Sequence, residues 1–367
     1  MLKRLYIDNF RCFVNFEYKP ERKQLLLGAN GSGKSSLLDA VELLKNFLRG
    51  VDNPFLATTR TRWLELPKQV LELEASLDGK TYVYRVENHF ASEAPVGEVR
   101  LERLTVEGER VFEQVGGEVR FFAHKPEELA SLPWKTTRSS LNLARLSTPE
   151  VDRFLTWIFE HVFCIRIDPW PEAMSDTTDG EDALPENELD NLAAWYRHLA
   201  QSDFETNVAL QRSLSETLDG FVSLQLDAAG ASTRVLRANF LQAGKKKFPY
   251  PLSDLSDGQR CLIALYMVLH FLIAKQDNTV FIDEPDNFVS MREIQPWLLA
   301  AEDAVQENKG QLILISHHPE ILNHWAQEFG LRFFREENGH VRTEKFKTDR
   351  DGLLQPSELI ARGWENE

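Results

Sequence analysis

The chain has few cysteines and no long apolar run, and each absence excludes a class of protein. Its three cysteines, at positions 12, 164 and 261, are widely spaced and odd in number, which indicates neither a disulfide framework nor a cysteine metal site. We therefore expect a reducing, cytoplasmic compartment. The longest apolar run covers residues 261–274, whereas a bilayer-spanning helix needs about 20 residues. We expect a buried core helix there and no contact with a membrane. Charged residues also follow the N-terminus too soon for a signal peptide.

Positive charge is scarce as well. The sequence has 42 Lys and Arg against 57 Asp and Glu, which gives a net charge of −15. Such a protein gains no long-range attraction to DNA unless basic residues cluster locally. Composition therefore argues against a free-standing nucleic-acid binder. The sequence also shows no internal repeat, heptad array or low-complexity tract.

Residues 25–36 carry the strongest motif, Leu-Leu-Leu-Gly-Ala-Asn-Gly-Ser-Gly-Lys-Ser-Ser. From Gly28 to Ser35 it fits G-x-x-x-x-G-K-[ST], with an apolar strand before it and helical apolar spacing over residues 37–48. Glycines let successive N–H groups turn toward phosphate oxygens, and the helix N-terminus adds partial positive charge. Lys34 would reach the β- and γ-phosphates, and the Ser35 hydroxyl would ligate Mg²⁺. An ordinary glycine-rich turn is the alternative, but both flanks and the Lys-Ser pair favour a site for a nucleoside triphosphate.

Two further apolar strands end at polar residues. Residues 279–285 end in Asp283, Glu284 and a proline, and residues 311–316 lead into His317 and a second histidine. Side chains alternate along a strand, so one carboxylate could hold Mg²⁺ while the other faces a water beyond the γ-phosphate. A histidine there could bond a phosphate oxygen or the attacking water. Alone, these residues could form an acidic turn and a satisfied loop histidine. Ligands of parallel α/β sheets, however, collect at the carboxyl ends of strands.

Residues 255–260, Leu-Ser-Asp-Gly-Gln-Arg, precede the apolar run. Ser256 suits a helix cap, which is the favoured interpretation of this segment in isolation. Between the phosphate loop and this segment, Asp78-Gly79 predicts a hairpin within a region of antiparallel strands. A helix is predicted over residues 149–162 with Pro149 in its first position, two helices are predicted over 189–219, and a hairpin is predicted across residues 229–230.

Together these motifs resemble the ATP-binding cassette (ABC) ATPases, in the branch that contains the RecF, SMC and OLD-family ATPases. Residues 28–35 match Walker A, 255–259 resemble the LSGGQ signature with Asp257 in place of the first glycine of the pair, and 280–284 match Walker B with its adjoining glutamate. Ser316-His317 resembles the switch-histidine loop, and Asn9-Phe10-Arg11 is similar to the opening of that branch. The resemblance implies an α/β P-loop NTPase with a mixed or parallel core sheet, an antiparallel β subdomain and a helical insertion.

By this resemblance the chain is one composite ATPase domain over residues 1–367. Its approximate parts are an N-terminal lobe (1–60), an antiparallel β region (61–125), a mainly helical insertion that ends in a hairpin (126–250) and a C-terminal lobe (251–367).

The resemblance also assigns roles to residues. Asp283 supports the Mg²⁺ shell with Ser35, Glu284 activates water, and His317 rather than His318 is the switch histidine. The expected nucleotide-binding residues are Arg11, Asn30, Gly31, Ser32, Gly33, Lys34, Ser35 and Ser36. The signature residues expected to act on a second subunit, in a head-to-tail dimer with ATP at the interface, are Ser256, Asp257, Gly258 and Gln259.

The sequence departs from the family pattern in several places. Gln114 is only a weak candidate for the glutamine loop, and residues 286–288 stand where Ala-Leu-Asp normally follows Walker B. There is no room for a long coiled coil, and the last fifty or so residues are too few for a Toprim nuclease.

We therefore expect a Mg²⁺-dependent ATPase whose ATP-gated homodimer drives a nucleic-acid transaction in DNA repair or anti-phage defence. A separately encoded nuclease or other effector would supply the output, and DNA is a possible partner. One alternative is a nucleotide-dependent regulatory scaffold with little turnover. The ATPase subunit of a transporter is a weaker one, because of the long segment between phosphate loop and signature.

Overall fold

The computed structural model describes residues 1–52, 54–64, 66–122, 128–170, 174–241, 246–348 and 354–363. The chain divides into two structural units. The first unit comprises residues 1–162 and 330–346, and the second unit comprises residues 163–329 and 347–367. The four-part division made from the sequence stays a prediction, and its boundary at 125/126 lies outside the described residues.

Strands and helices are numbered in chain order. The strands are β1 (Leu2–Asp8), β2 (Phe16–Tyr18), β3 (Lys23–Leu27), β4 (Lys68–Leu77), β5 (Lys80–His89), β6 (Glu98–Val106), β7 (Glu109–Val115), β8 (Glu118–Phe122), β9 (Glu128–Pro133), β10 (Val162–Arg166), β11 (Thr177–Thr178), β12 (Phe221–Ala228), β13 (Arg234–Leu241), β14 (Lys247–Pro251), β15 (Thr279–Asp283), β16 (Gln311–Ile315), β17 (Gly330–Arg335) and β18 (Val341–Lys345). The α-helices are α1 (Lys34–Leu48), α2 (Pro149–Glu160), α3 (Leu192–Ser202), α4 (Phe204–Thr217), α5 (Asp257–Val268), α6 (Met291–Asn308), α7 (Pro319–Phe329) and α8 (Pro356–Arg362).

The first unit contains an eight-stranded antiparallel sheet in the order β2-β1-β4-β5-β6-β7-β8-β9. The predicted hairpin joins β4 to β5, with Leu77 paired to Lys80. Asp78 and Gly79 both have positive φ, at 51° and 79°, as a two-residue turn of this hand requires. The hairpin prediction is therefore confirmed, and the cause is local turn chemistry.

Helix α2 covers one face of this sheet. It begins with Pro149, as predicted, and its Phe154 ring lies 5.5 Å from the ring of Tyr84 and 6.5 Å from that of Tyr82, centroid to centroid. Alternate residues of β5 are buried, so the tyrosines share one face of the strand. The first unit thus buries an aromatic layer between helix and sheet.

The first unit also contains the strand that leads into the phosphate loop. β3 runs parallel to β17, with Leu26 opposite Leu331, and β17 pairs antiparallel with β18. The three leucines of β3 are fully buried, and α1 follows directly after the loop. The loop therefore leaves a buried strand and enters a helix that buries Leu37, Leu38 and Val41.

In the second unit, β15 and β16 pair in parallel over their whole length, with Asp283 opposite Ile315. Every residue of α5 from Arg260 to Val268 is buried, and a π-helical turn over residues 269–273 continues it. The indole N–H of Trp297 on α6 donates to the Leu265 carbonyl at 3.0 Å. The apolar run is thus a core helix, as predicted, but it begins four residues earlier than the run itself.

A smaller antiparallel sheet completes the second unit. β13 is its centre and pairs with β11, β12 and β14. α3 and α4 lie between β11 and β12 in the chain, and the Asp203 side chain caps α4 by accepting from the Thr206 N–H at 3.1 Å. The two predicted helices and the predicted hairpin are confirmed.

The predicted fold class is confirmed: parallel strand pairs beside the site residues, an antiparallel β subdomain and a helical insertion are all present. All three cysteines are buried free thiols. Among the described residues, no helix combines the length and the apolarity that crossing a membrane requires.

Candidate functional site

The phosphate loop lies in the first unit between Leu27 and Lys34, and two of its glycines are required by close contacts. Gly28 has φ 134°, and a Cβ there would lie 2.2 Å from the Phe333 carbonyl oxygen on β17. Gly33 has φ 112°, and a Cβ there would lie 2.9 Å from the Cys12 Sγ. Any side chain at either position would move the loop away from its neighbours, so these glycines fix its path.

The polar groups of the loop suit an anion. The Lys34 ammonium donates to the Gly28 carbonyl at 2.7 Å and to the Ala29 carbonyl at 3.3 Å, and the residue is 6% exposed. The Ser32 hydroxyl is buried without a hydrogen-bond partner among the described residues. The first turn of α1 carries no acidic residue, so its N-terminal N–H groups and dipole are unopposed. Asn30, Gly31 and Ser35 are exposed, and Ser36 is half-buried.

Arg11 lies against α1 through an ion pair with Asp39. Its backbone φ is 50°, and its N–H donates to the Thr59 carbonyl at 2.7 Å. The guanidinium is thus already held by a carboxylate of α1. Its role in nucleotide binding stays a prediction.

Asp283 and Glu284 stand at the end of β15 in the second unit and contact different partners. The Asp283 Oδ2 lies 3.7 Å from the Arg166 Nε on β10. Glu284 has left the strand: its φ is 52°, and its N–H donates to the Ile315 carbonyl at 2.8 Å. A left-handed conformation at a glutamate is uncommon, and this turn sends the two carboxylates to different surroundings.

The two histidines after β16 also contact different partners. The His317 Nε2 lies 3.9 Å from the Glu284 Oε1, with side chains 39% and 30% exposed. The His318 Nδ1 instead accepts from the Glu320 N–H at 3.2 Å, in the first turn of α7. The structure therefore brings His317, and not His318, next to Glu284. The catalytic roles of both residues stay predictions.

A buried contact that no sequence motif indicates joins these two segments. The Ser316 hydroxyl donates to the Asp286 Oδ1 at 2.5 Å, and both residues are buried. Burial raises the pKa of the Asp286 carboxyl, and the Ser316 hydrogen bond opposes that shift. Nothing in the local sequence distinguishes Asp286 from an ordinary acidic turn residue, because its partner is thirty residues away.

The signature-like segment forms the start of α5. Ser256 and Gln259 form a capping box, in which the Ser256 Oγ accepts from the Gln259 N–H at 3.3 Å. Asp257 pairs with Arg260. A Cβ on Gly258 would lie 2.8 Å from the Phe288 carbonyl oxygen, so this glycine lets the helix approach the segment after Glu284. These contacts account for the segment within one subunit, and its action on a second subunit stays a prediction.

Gln114 lies in the first unit on β7 and is fully buried. Its Oε1 accepts from the Ser140 hydroxyl at 2.8 Å. The glutamine-loop assignment stays a prediction.

The donor chemistry of the predicted metal ligands fits Mg²⁺. Ser35 offers a hydroxyl and Asp283 a carboxylate, which are hard oxygen donors. No group of three or more His, Cys, Asp or Glu among the described residues could hold a metal by itself. Mg²⁺ commonly binds with one or two protein ligands plus substrate phosphates and water, so each of these donors is of the kind that suits a metal bound together with a nucleotide.

Comparison with known proteins places this chain in a family of AAA domains. The family model described as "AAA domain, putative AbiEii toxin, Type IV TA system" matches residues 25–323. Among proteins with curated descriptions, none matches this chain.

Two solved structures are similar over almost their whole length. One is an SMC head bound to the C-terminal winged-helix domain of ScpA, with 14% identity, 96% of this chain and 99% of that chain covered, and a TM-score of 0.56. The other is an SMC head with an extended coiled coil, bound to the C-terminal domain of ScpA derived from Pyrococcus furiosus. It has 14% identity, 99% and 98% coverage, and a TM-score of 0.53. At this identity the likeness establishes the fold. The chain therefore belongs to this AAA family and has the fold of these SMC heads, in agreement with the resemblance to ABC-type ATPases of the RecF/SMC-like branch.

Proposed function

We propose that the protein binds ATP with Mg²⁺ and hydrolyses it to ADP and phosphate. The observation that carries this proposal is the 3.9 Å approach of Glu284 to His317, at the ends of two parallel strands. A carboxylate and an imidazole at such a strand end can orient a water and receive its proton. The phosphate loop supports the binding half of the proposal, because its lysine is buried and its Ser32 hydroxyl has no hydrogen-bond partner in the described part of the chain.

In this mechanism, Lys34 and the loop N–H groups hold the phosphates, and Glu284 accepts a proton from the attacking water. His317 donates a hydrogen bond to a phosphate oxygen or to that water. Ser35 and Asp283 would hold Mg²⁺, whose contribution when bound is to neutralise charge on the phosphate oxygens. Positioning and charge neutralisation supply most of the catalysis in phosphoryl transfer, and these residues offer both.

The proposed assembly is a head-to-tail homodimer that forms on ATP binding. Ser256, Asp257, Gly258 and Gln259 would complete the site of the second copy. An exposed helix start is suited to this, because its N–H groups and dipole favour a γ-phosphate. Dimer formation would then report whether ATP is bound.

The proposed output is a cytoplasmic nucleic-acid transaction in defence or repair, carried out with a separately encoded nuclease or other effector. The family description, which names a toxin of a toxin–antitoxin system, supports a defence setting. The net charge of −15 favours an effector, rather than this surface, as the main contact with DNA. The buried free thiols suit a reducing compartment.

The test is steady-state phosphate release from ATP, with and without Mg²⁺ and with and without duplex DNA. We expect Mg²⁺-dependent turnover by the wild type. Lys34→Ala should weaken ATP binding about tenfold or more, because the phosphates lose a charged partner. Lys3→Ala, at an exposed position on β1, is the matched control and should bind normally.

The outcomes separate the candidates. Binding without turnover would favour a regulatory scaffold, which is the alternative function. Failure to bind at millimolar Mg²⁺-ATP would refute the phosphate-loop assignment. Stimulation by DNA would support the nucleic-acid transaction.

A further inference from the structure

One buried hydrogen bond joins the segment that carries Glu284 to the segment that carries His317. It runs from the Ser316 hydroxyl to the Asp286 carboxylate at 2.5 Å, with Ser316 0% and Asp286 9% exposed. Ser316 immediately precedes His317, and Asp286 follows Glu284 by two residues. The contact therefore joins the chain segments next to the pair proposed to carry out hydrolysis.

The Ser316 hydroxyl is fixed from two sides. It donates to Asp286 and accepts from the His318 backbone N–H at 2.9 Å. A hydroxyl that both donates and accepts inside the protein has a defined rotamer and holds both partners in place. The backbone on either side of His317 is thus tied to Asp286.

The backbone around Asp286 has an unusual conformation that additional contacts must stabilise. Glu284 and Phe288 both have left-handed φ values, 52° and 68°, in a short turn closed by N–H···O bonds from Asn287 to Glu284 and from Val289 to Asp286. Non-glycine residues stay in this region only where surrounding contacts over-determine it. Besides the Glu284 N–H bond to Ile315, the Asp286 side chain is a second link from this turn to β16 and the loop after it.

We propose that Asp286 and Ser316 are positioning residues that hold Glu284 and His317 at the separation hydrolysis requires. Neither touches the nucleotide, and they act through the turn and the loop that carry the two reacting side chains. This inference rests on the proposed ATP hydrolysis and adds two residues to it.

The chain offers a matched control at the other end of the same strands. The Thr279 hydroxyl on β15 donates to the Gln311 Oε1 on β16 at 3.0 Å, and these residues are 0% and 3% exposed. This contact also joins β15 to β16 by a buried side-chain hydrogen bond. It lies at the strand starts, away from Glu284 and His317. The Thr279–Gln311 hydrogen bond, which only stabilises the strand pair, can therefore be compared with the Ser316–Asp286 bond, which is proposed to position reacting groups.

The experiment measures kcat, KM, ATP affinity and the free energy of unfolding for Asp286→Ala, Ser316→Ala and Thr279→Val. We expect the first two to lower kcat about tenfold to a hundredfold, because small misplacements near reacting groups have effects of that size. Their affinity for ATP should match that of the wild type. Thr279→Val should lose comparable stability and keep its kcat.

Conservative variants sharpen the test. Ser316→Thr keeps the hydroxyl and Asp286→Asn keeps an acceptor, so both should recover most of the lost kcat. The Asp286→Ala/Ser316→Ala double variant should be no slower than the slower single variant, since both remove the same contact. Should Asp286→Ala fail to fold, Ser316→Ala and Ser316→Thr are compared instead.

Two failures are distinguishable. A wild type that releases no phosphate would overturn the proposed function itself. A wild type that turns over, with kcat falling in all three single variants only in proportion to lost stability, would overturn the positioning role and leave the function intact.

Discussion

Glu284 combines an unusual left-handed backbone conformation with the proposed role of accepting the proton of the attacking water. Its left-handed φ of 52° takes the chain out of β15, and its carboxylate lies beside His317 rather than beside Arg166, the partner of Asp283. Strained non-glycine residues cluster at active sites, where the surrounding structure maintains them. The conformation thus separates two adjacent carboxylates that the sequence alone presents as a pair.

Glu284→Gln is the prediction at this scale. The amide keeps the shape but cannot accept the proton of the attacking water, so we expect ATP binding to persist and kcat to fall about 10²- to 10⁴-fold. A nucleotide-bound dimer should accumulate, which light scattering on a sizing column would detect. Glu302→Gln is the control, because Glu302 forms a similar pair with His324, 2.9 Å apart, on α6 and α7. Full turnover by Glu284→Gln would remove the water-activating role.

At the scale of elements, α5 and α6 begin with the same capping motif. Ser256 with Gln259 and Ser290 with Glu293 both form capping boxes. In each, the side chain three residues into the helix accepts from the N–H of the cap serine, and such a cap contributes about 1 kcal/mol. Helix capping alone therefore cannot distinguish the signature-like segment from an ordinary helix start.

Ser256→Arg makes that distinction. The arginine removes the cap and adds a bulky charge to the proposed cross-subunit surface, so ATP-dependent dimerisation and hydrolysis should stop while the monomer still binds ATP. Ser290→Arg removes an equivalent cap and should leave dimerisation intact. Analytical ultracentrifugation with Mg²⁺-ATP reads out both variants. If Ser256→Arg dimerises and turns over normally, the composite site is wrong.

The antiparallel sheet of the first unit contains a buried carboxyl. Glu102 on β6 accepts from the Tyr84 hydroxyl at 2.9 Å and from the Ser140 N–H at 3.0 Å, and also from the Ser139 hydroxyl. Burial is the main cause that raises the pKa of Glu102 above its ordinary value of 4.5. The folded protein therefore holds this proton more tightly than the unfolded chain does.

This shift predicts a pH dependence of stability. Well below pH 4.5 Glu102 is protonated in both the folded and the unfolded state, and its contribution to stability is complete. The contribution is then lost as pH rises through the raised folded-state pKa. Glu102→Gln does not titrate, and its amide can donate to hydroxyls that reverse their roles. Urea unfolding followed by tryptophan fluorescence should show the wild type losing stability relative to this variant with rising pH, by about 1.4 kcal/mol per unit of pKa shift. A constant difference between the two proteins would contradict this.

At the scale of the whole molecule, the proposed dimer has two composite sites related by two-fold symmetry. Each site would take its phosphate loop from one copy and its signature-like segment from the other. This arrangement makes a prediction that no single variant can test.

Mixing Lys34→Ala with Ser256→Arg should restore activity that neither protein has alone. In a mixed dimer, both defects fall in one site and the other site is intact. Only mixed dimers carry an intact site, one of their two, so at most about half of wild-type turnover is expected. Phosphate release measured across mixing ratios would give a maximum at equal amounts. A flat, inactive profile would argue against the head-to-tail arrangement.

The sequence by itself determined the features that depend on a few consecutive residues. The left-handed turn at Asp78-Gly79, the start of α2 at Pro149 and the Ser256 cap all follow from local backbone preferences and local hydrogen bonds. The phosphate loop was identifiable for the same reason, because its glycines and its lysine act within one short segment. Helix α1 nevertheless begins at Lys34, three residues before its apolar spacing does.

Only the tertiary structure decided which distant segments meet. Gly28 requires contact with Phe333, Gly258 with Phe288, and Asp286 with Ser316, and each pair is separated by thirty or more residues. Spacing along a strand shows where a side chain can stand, but strand pairing fixes its neighbour. The sequence therefore identified Glu284 and His317 as separate candidates. Their proximity and the Ser316–Asp286 hydrogen bond are seen only in the folded chain.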